Sequence, residues 1–190
     1  MILETERLIF RKHEPADIDA YCAMEADPDV RRYVGGSLRP RAQAEARFRR
    51  ELAVEPGDWL TLLATVYKEN GLYIGRCGVY PHFGPLGAPI AGEGTLALYI
   101  ASDYWGRGLA TEAGGALLRF GFDTLGLSRI VATVQVGNDA SDHVMSKLGL
   151  RLVRTEHGAH CSWHHYEILP GQAQVSEGSN ASGKSDTRSP

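Results

Sequence analysis

The spacing of apolar and polar positions changes several times along the chain, and each change marks an element. Leu8 to Lys12 reads as a short strand. Pro15 suits the first turn of a helix, and Ala16 to Glu25 continues it until Asp27-Pro28 interrupts. Val30 to Ser37 reads as a loop or a broken helix. Pro40 opens a second helix, Arg41 to Val54, which Pro56-Gly57-Asp58 closes. Trp59 to Tyr67 is rich in strand formers, Asn70-Gly71 is a hairpin turn, and Leu72 to Tyr80 is the returning strand. Pro81 to Gly92, with its prolines and glycines, is expected to be a loop, and Glu93 to Ala101 a strand. From Ala110 to Phe122 the period becomes helical, with Leu109, Ala113, Ala116, Leu117 and Phe120 on one apolar face. Gly114 and Gly115 inside that helix cost roughly 1 kcal/mol each against Ala, which close packing on a strand would explain. Arg129 to Val136 is a strand, Asn138 or Asp139 caps a short helix ending at Gly149, and Leu150 to Thr155 and Ser162 to Leu169 are the last strands. Together these elements predict one α+β domain over 1–169, with a mixed, mostly antiparallel sheet flanked by helices. Residues 170–190 are Gly, Ser, Asn and Gln with almost no large apolar side chain, and are expected to be a disordered tail.

Composition narrows the function classes. A formal charge of −3 over 190 residues gives no general attraction to nucleic acid. No apolar run approaches the roughly 20 residues that span a bilayer, and the acidic start Met1-Ile2-Leu3-Glu4-Thr5-Glu6 is unlike a signal peptide. A cytoplasmic location and no membrane partner are therefore expected. Cys22, Cys77 and Cys161 are too widely spaced for a disulfide framework or a CxxC metal site and read as reduced thiols.

The stretch Leu96 to Ala113 concentrates the chemistry. An apolar strand meets the turn Trp105-Gly106-Arg107-Gly108, and a helix begins directly after it. Such a junction aims unpaired backbone N–H groups outward at the positive end of a helix dipole, which makes an anion site suited to phosphate. Gly106 and Gly108 let the main chain approach a ligand that a Cβ would hold off.

Four segments in this order carry a family likeness: Leu3 to Arg11, Asp27-Pro28-Asp29-Val30, Tyr104 to Ala113, and Asn138 to Leu150. Together they resemble the Gcn5-related (GNAT) N-acetyltransferase superfamily, and within it the branch of ribosomal-protein N-terminal acetyltransferases. The resemblance spans residues 1 to about 169 and is more specific for fold and cofactor than for substrate. It implies a GNAT-type domain whose central strands splay apart, with acetyl-CoA lying in the splay. The pyrophosphate would sit on the amides of Gly106, Arg107, Gly108, Leu109, Ala110 and Thr111. The pantetheine arm would run along Leu98, Tyr99, Ile100 and Ala101, with Asn138 and Ser141 across the splay as pantetheine or thioester contacts. Arg107, and less directly Lys147, would supply a cation to the phosphates. Trp105 stands where many members carry Gln or Arg. Met145 stands where many carry a tyrosine general acid, so any acid here is another residue or water.

The implied reaction, amine attack on a thioester, needs a neutral amine. An α-amino group is neutral in roughly one molecule in ten at pH 7, and a free lysine in about one in a few thousand. A strong base is therefore less necessary for an N-terminal amine than for lysine. The resemblance implies a protein N-terminus or a small-molecule amine as acceptor; a homodimer is left open. Glu93 is either a general base or an exposed strand-end acid, with Glu156 a second candidate. Ser141 either assists the leaving thiol or caps the helix; Asn138 can cap and bind at once. Glu112 reads as a first-turn acid favouring the dipole, and Tyr33 or His82 could face the acceptor. His157 to His165 holds five potential metal ligands, but adjacent His164 and His165 must face opposite sides of a strand, so no metal is expected and a substrate contact is the better reading. Two other functions remain in view. One is a module that binds acetyl-CoA without catalysis. The other is an NAD-binding Rossmann-type protein, suggested by the partial fingerprint Gly106-Arg107-Gly108.

Overall fold

The structure, a computed structural model, describes residues 2–35, 37–54 and 61–172. Its strands form one sheet in the order β1-β2-β3-β4-β5-β6-β8-β7. These are β1 (Leu3–Glu4), β2 (Leu8–Arg11), β3 (Thr61–Tyr67), β4 (Leu72–Phe83), β5 (Pro89–Ile100), β6 (Arg129–Gln135), β7 (Arg151–His157) and β8 (Ser162–Ile168). Every neighbouring pair is antiparallel except β5 with β6. Helices α1 (Ile18–Ala26), α2 (Pro28–Arg31) and α3 (Arg41–Leu52) precede β3, α4 (Leu109–Arg119) follows β5, and α5 (Asp139–Lys147) follows β6. An open, mixed sheet with a single parallel pair is not the βαβ repeat of a Rossmann fold, so that reading is excluded.

The longest departure from the expected elements lies at 81–92. Most of it is strand: β4 runs on to Phe83 and β5 begins at Pro89. Among the described residues, β3 pairs with β4 only as far as Thr61–Val79, and past that point the described pairs of β4 are with β5. Pro81 therefore interrupts no ladder bond among the described residues. The first helix starts with a 3₁₀ turn at Pro15–Asp17, a short strand pairs Leu3–Glu4 with β2, and α4 gives way to a wider turn at Phe120–Thr124. The strand expected from Trp59 is seen from Thr61; Trp59 and Leu60 lie outside the described residues, as does the expected tail from residue 173 onward.

Leu8, Phe10, Ile74, Cys77, Ile100, Leu109, Leu117, Ile130, Met145, Leu148 and Ile168 form one buried cluster between the sheet and α4 with α5. Gly114 packs mainly on Leu148, just past α5, where an added Cβ would come within 2.4 Å of that side chain; the strand contact, Leu98, is looser at 3.3 Å. A helix junction, more than a strand, is thus what excludes a side chain there. All three cysteines are free thiols.

Beside α1 and α3, His13 is buried among the rings of Tyr21, Phe48 and Tyr73, and neither ring nitrogen has a hydrogen-bond partner among the described residues. Burial pushes its pKa from 6.5 down to about 4. The unfolded chain therefore takes up a proton near pH 6.5 that the folded chain refuses until about pH 4. Stability from neutral His13 is whole above pH 6.5 and is lost as pH falls toward 4, a loss of order 3 kcal/mol. Urea titrations from pH 7 to 4 should show His13→Phe losing less stability on acidification than the parent chain.

Candidate functional site

The parallel pair β5–β6 is short. Glu93, Gly94 and Thr95 oppose Arg129, Ile130 and Val131, and no pairing follows, although β5 continues to Ile100 and β6 to Gln135. The two strands part after Thr95. Successive peptide groups of a strand face opposite neighbours, and the amide of Ala101 donates to the Ile74 carbonyl on β4. Tyr99 and Ala101 thus turn their peptide groups to β4, and Leu98 and Ile100 turn theirs to the gap. The indole of Trp105 donates to the Ile100 carbonyl at 2.7 Å and ties the turn back to the strand. Of the four residues expected to carry a pantetheine arm, Leu98 and Ile100 turn their main-chain groups to the gap and Tyr99 and Ala101 turn theirs to β4.

Beyond β5 the chain makes the glycine turn. Gly106 and Gly108 have φ of 73° and 76°, and Gly108 is the N-cap of α4 with no side chain capping the first turn. The outward amides of Leu109, Ala110 and Thr111 therefore lack intrahelical partners. A Cβ at Gly106 would meet nothing within 4 Å among the described residues, so the turn is open at that point. Arg107 is exposed, bonds back to the Asp103 carbonyl at 3.0 Å, and lies 5.1 Å from the centre of the Tyr104 ring.

Glu112 does more than favour the dipole. Its carboxylate accepts from the Thr5 hydroxyl (2.5 Å), the Arg7 amide (2.9 Å) and Arg7 Nε (2.6 Å), so it joins the β1–β2 turn to α4. Burial raises its pKa, but these donors outweigh burial and the net shift is downward. Arg7 also donates to the Arg107 carbonyl at 2.9 Å, which places a second guanidinium beside the glycine turn. Sequence reading missed Arg7 because its partners lie about a hundred residues away. Asp27 similarly accepts from Ser102 at 2.6 Å and joins the start of α2 to the end of β5.

Because β5 and β6 run parallel, the segments after them open on the same edge of the sheet. Asn138 accepts from the Ser141 amide at 3.3 Å, so the cap is real. The Ser141 hydroxyl has no hydrogen bond among the described residues, and both side chains are partly exposed. Lys147 lies in the last turn of α5, at the opposite end from Asn138, and is exposed. Met145 is buried in the core and is no proton donor. Tyr166 is also spoken for: its hydroxyl donates to Asp142, and burial with that bond pushes its pKa up to about 12.

At the apex of the gap, Glu93 is partly buried and accepts from Arg129 at 3.0 Å through Oε2, while Oε1 makes no hydrogen bond among the described residues. His82 lies 3.2 Å from the Thr95 hydroxyl through Nδ1 and 4.0 Å from Glu93 through Nε2. Glu156 is exposed in β7, paired with Arg154 and His165. His164 contacts Asp142 on α5 and His165 contacts Glu156 on β7, so the two adjacent histidines do diverge.

The residues fit the expected cosubstrate: an interrupted sheet with inward-facing peptide groups leads to an open, positively polarised turn. A model of the GNAT acetyltransferase domain matches residues 7–151. The chain belongs to the GNAT acetyltransferase family. Members use acetyl-CoA as cosubstrate, so this GNAT chain is an acyl-CoA-dependent N-acetyltransferase. An uncharacterized N-acetyltransferase of Bacillus licheniformis, p20, is 29% identical over 154 residues, 78% of this chain and 82% of its own length. The GNAT-family acetyltransferase of Bacillus anthracis superposes with a TM-score of 0.77 at 24% identity, over 89% of this chain and 98% of its own. The spermidine N-acetyltransferase of Vibrio cholerae, solved with CoA and spermine, has the same fold at 15% identity, with a TM-score of 0.72 over 88% and 98% of the two chains.

Proposed function

We propose that this chain transfers an acetyl group from acetyl-CoA to a primary amine, on a protein N-terminus or a small molecule, by direct attack in a ternary complex. The parting of β5 from β6 after Thr95 carries the reading, because it frees main-chain groups beside an anion-binding turn. Acetyl-CoA supplies an activated thioester; the chain supplies binding, orientation and proton movement. Leu98 and Ile100 hold the pantetheine arm, with Asn138 opposite through its free amide nitrogen. The amides from Gly106 to Thr111 hold the diphosphate, with Arg107 and Arg7 adding charge; Lys147 is the weakest member of that set. Glu93 accepts the amine proton through a water on Oε1, while Arg129 fixes its other oxygen. The Ser141 hydroxyl donates to the departing sulfur.

CoA and acetyl-CoA should raise the melting temperature and NAD should not; stabilisation by NAD alone would refute the assignment. Thiol release with a panel of primary amines separates an enzyme from a module that merely binds. Glu93→Gln should lower kcat about 10²-fold at pH 7 and recover partly at pH 9, where the amine deprotonates unaided. An unchanged rate at both pH values removes Glu93 from the mechanism. In the same assay Ser141→Ala should lower kcat with CoA affinity unchanged; equal losses in both would make Ser141 a binding residue only.

A further inference from the structure

Every turnover of the proposed reaction leaves a proton that has to reach water. A primary amine enters mostly as ammonium at pH 7 and leaves as an amide, so it gives up two protons as the C–N bond forms and the C–S bond breaks. One ends on the sulfur of coenzyme A, and the other goes to solvent. Glu93, the acceptor in the reading above, is poorly placed to release it: the side chain is 17% exposed, and Arg129 holds Oε2 at 3.0 Å. Arg129 also bonds Glu167 at 2.9 Å, and a guanidinium does not give up its proton, so nothing passes onward by that route. The Thr95 side of the site is buried.

His82 on β4 meets the same groups and also reaches solvent. Its Nδ1 lies 3.2 Å from the Thr95 hydroxyl. Its Nε2 lies 4.0 Å from Glu93 Oε2, a span that one water bridges. The side chain is 30% exposed, and the hairpin beyond it is exposed at Phe83 and throughout 85–92. The charged and titratable groups facing it are Glu93 of β5, with Arg129 of β6 behind that carboxylate, and His165 of β8. His165 is turned to Glu156 of β7 at 3.0 Å. Burial first, then Arg154 and His82, lower the pKa of His165, and Glu156 raises it. Imidazole is the side chain that gains and loses a proton near neutral pH unaided.

We propose that His82 is the proton carrier of this site: held by the Thr95 hydroxyl, it takes the amine's proton from Glu93 and hands it to solvent. This rests on the acetyltransferase reading above, with Glu93 as the first acceptor. One proton moves from Glu93 to the imidazole and from the imidazole to water or buffer, and Glu93 is a carboxylate again before the next amine arrives.

Thiol release from acetyl-CoA in weak buffer at neutral pH tests this. His82→Ala should lower kcat about ten- to a hundredfold, with KM for the amine and for acetyl-CoA unchanged. Added imidazole should restore its kcat with saturation and leave the parent chain's rate as it was. His82→Asn keeps an amide that can bond to Thr95 but accepts no proton, and should lose as much as His82→Ala. Both variants should keep the parent's urea midpoint, since the ring is partly exposed. An unchanged kcat in both variants overturns the proposal, and so does a loss that imidazole does not repair. Activity kept by His82→Asn and lost by His82→Ala also overturns it, because the bond to Thr95 would then be what matters. Glu93→Gln separates the two readings. If it is impaired while neither His82 variant is, the proton carrier alone fails; if no amine releases thiol from the parent chain, the catalytic reading fails and the carrier with it.

Discussion

Gly108→Val should weaken CoA binding at least about a hundredfold while the sheet stays folded. At φ of 76° this residue lies where a β-branched side chain is strained by about 1–3 kcal/mol. Space is available for the side chain among the described residues: its nearest neighbour would be an Arg7 nitrogen at 3.7 Å. The valine therefore acts in two ways. It either swings the amides of Leu109, Ala110 and Thr111 off their common direction, or it stands in the space above them. Losing two charge-assisted contacts of about 1.5–3 kcal/mol each lowers affinity roughly 10²- to 10⁴-fold. Gly126→Val supplies the control, since Gly126 has a similar φ of 66° and equally open surroundings but sits in the turn before β6. It should lose comparable stability and keep its affinity for CoA in a calorimetric titration. Equal affinity in both variants would show that the turn is not the diphosphate site.

Glu25→Gln should be the most destabilising of the charge-removing substitutions considered, at about 3–5 kcal/mol by urea denaturation. Glu25 is 4% exposed and faces Arg31, Arg39 and Arg76, so neutralising it leaves the buried Arg31 and Arg76 with only Glu51, 3.8 Å from Arg76, as counter-charge. Glu45 makes the contrast. It also takes two arginines, Arg41 and Arg49, but those side chains are 61% and 66% exposed. Water and salt screen such pairs, and Glu45→Gln should change stability by less than about 1 kcal/mol. If both variants lose the same amount, burial of its arginine partners is not what makes Glu25 matter to the fold.

What could be read along the chain and what could not divide by range. The Asn70-Gly71 turn, the glycine turn, the start of α4 and the Asn138 cap were all legible, because each is made by residues within a few positions of one another. So was the divergence of His164 and His165, since side chains alternate along any strand. The segment 81–92 was misread because proline and glycine signal a loop locally. Whether Pro81 disrupts a ladder depends on how far β3 extends, and β3 lies elsewhere in the chain.

The sequence by itself determined that an α+β domain would carry a glycine turn opening directly into a helix between Trp105 and Glu112, through local backbone preferences and hydrophobic period. Only the tertiary structure decided that β5 and β6 part after Thr95 and that Leu98 and Ile100, not their neighbours, face the gap. It alone showed that Glu112 holds Arg7 and that Glu25 gathers arginines from α2, the segment before α3, and β4. Strand register and charge burial arise from contacts between residues tens of positions apart, and no local pattern of side chains encodes which of them will meet.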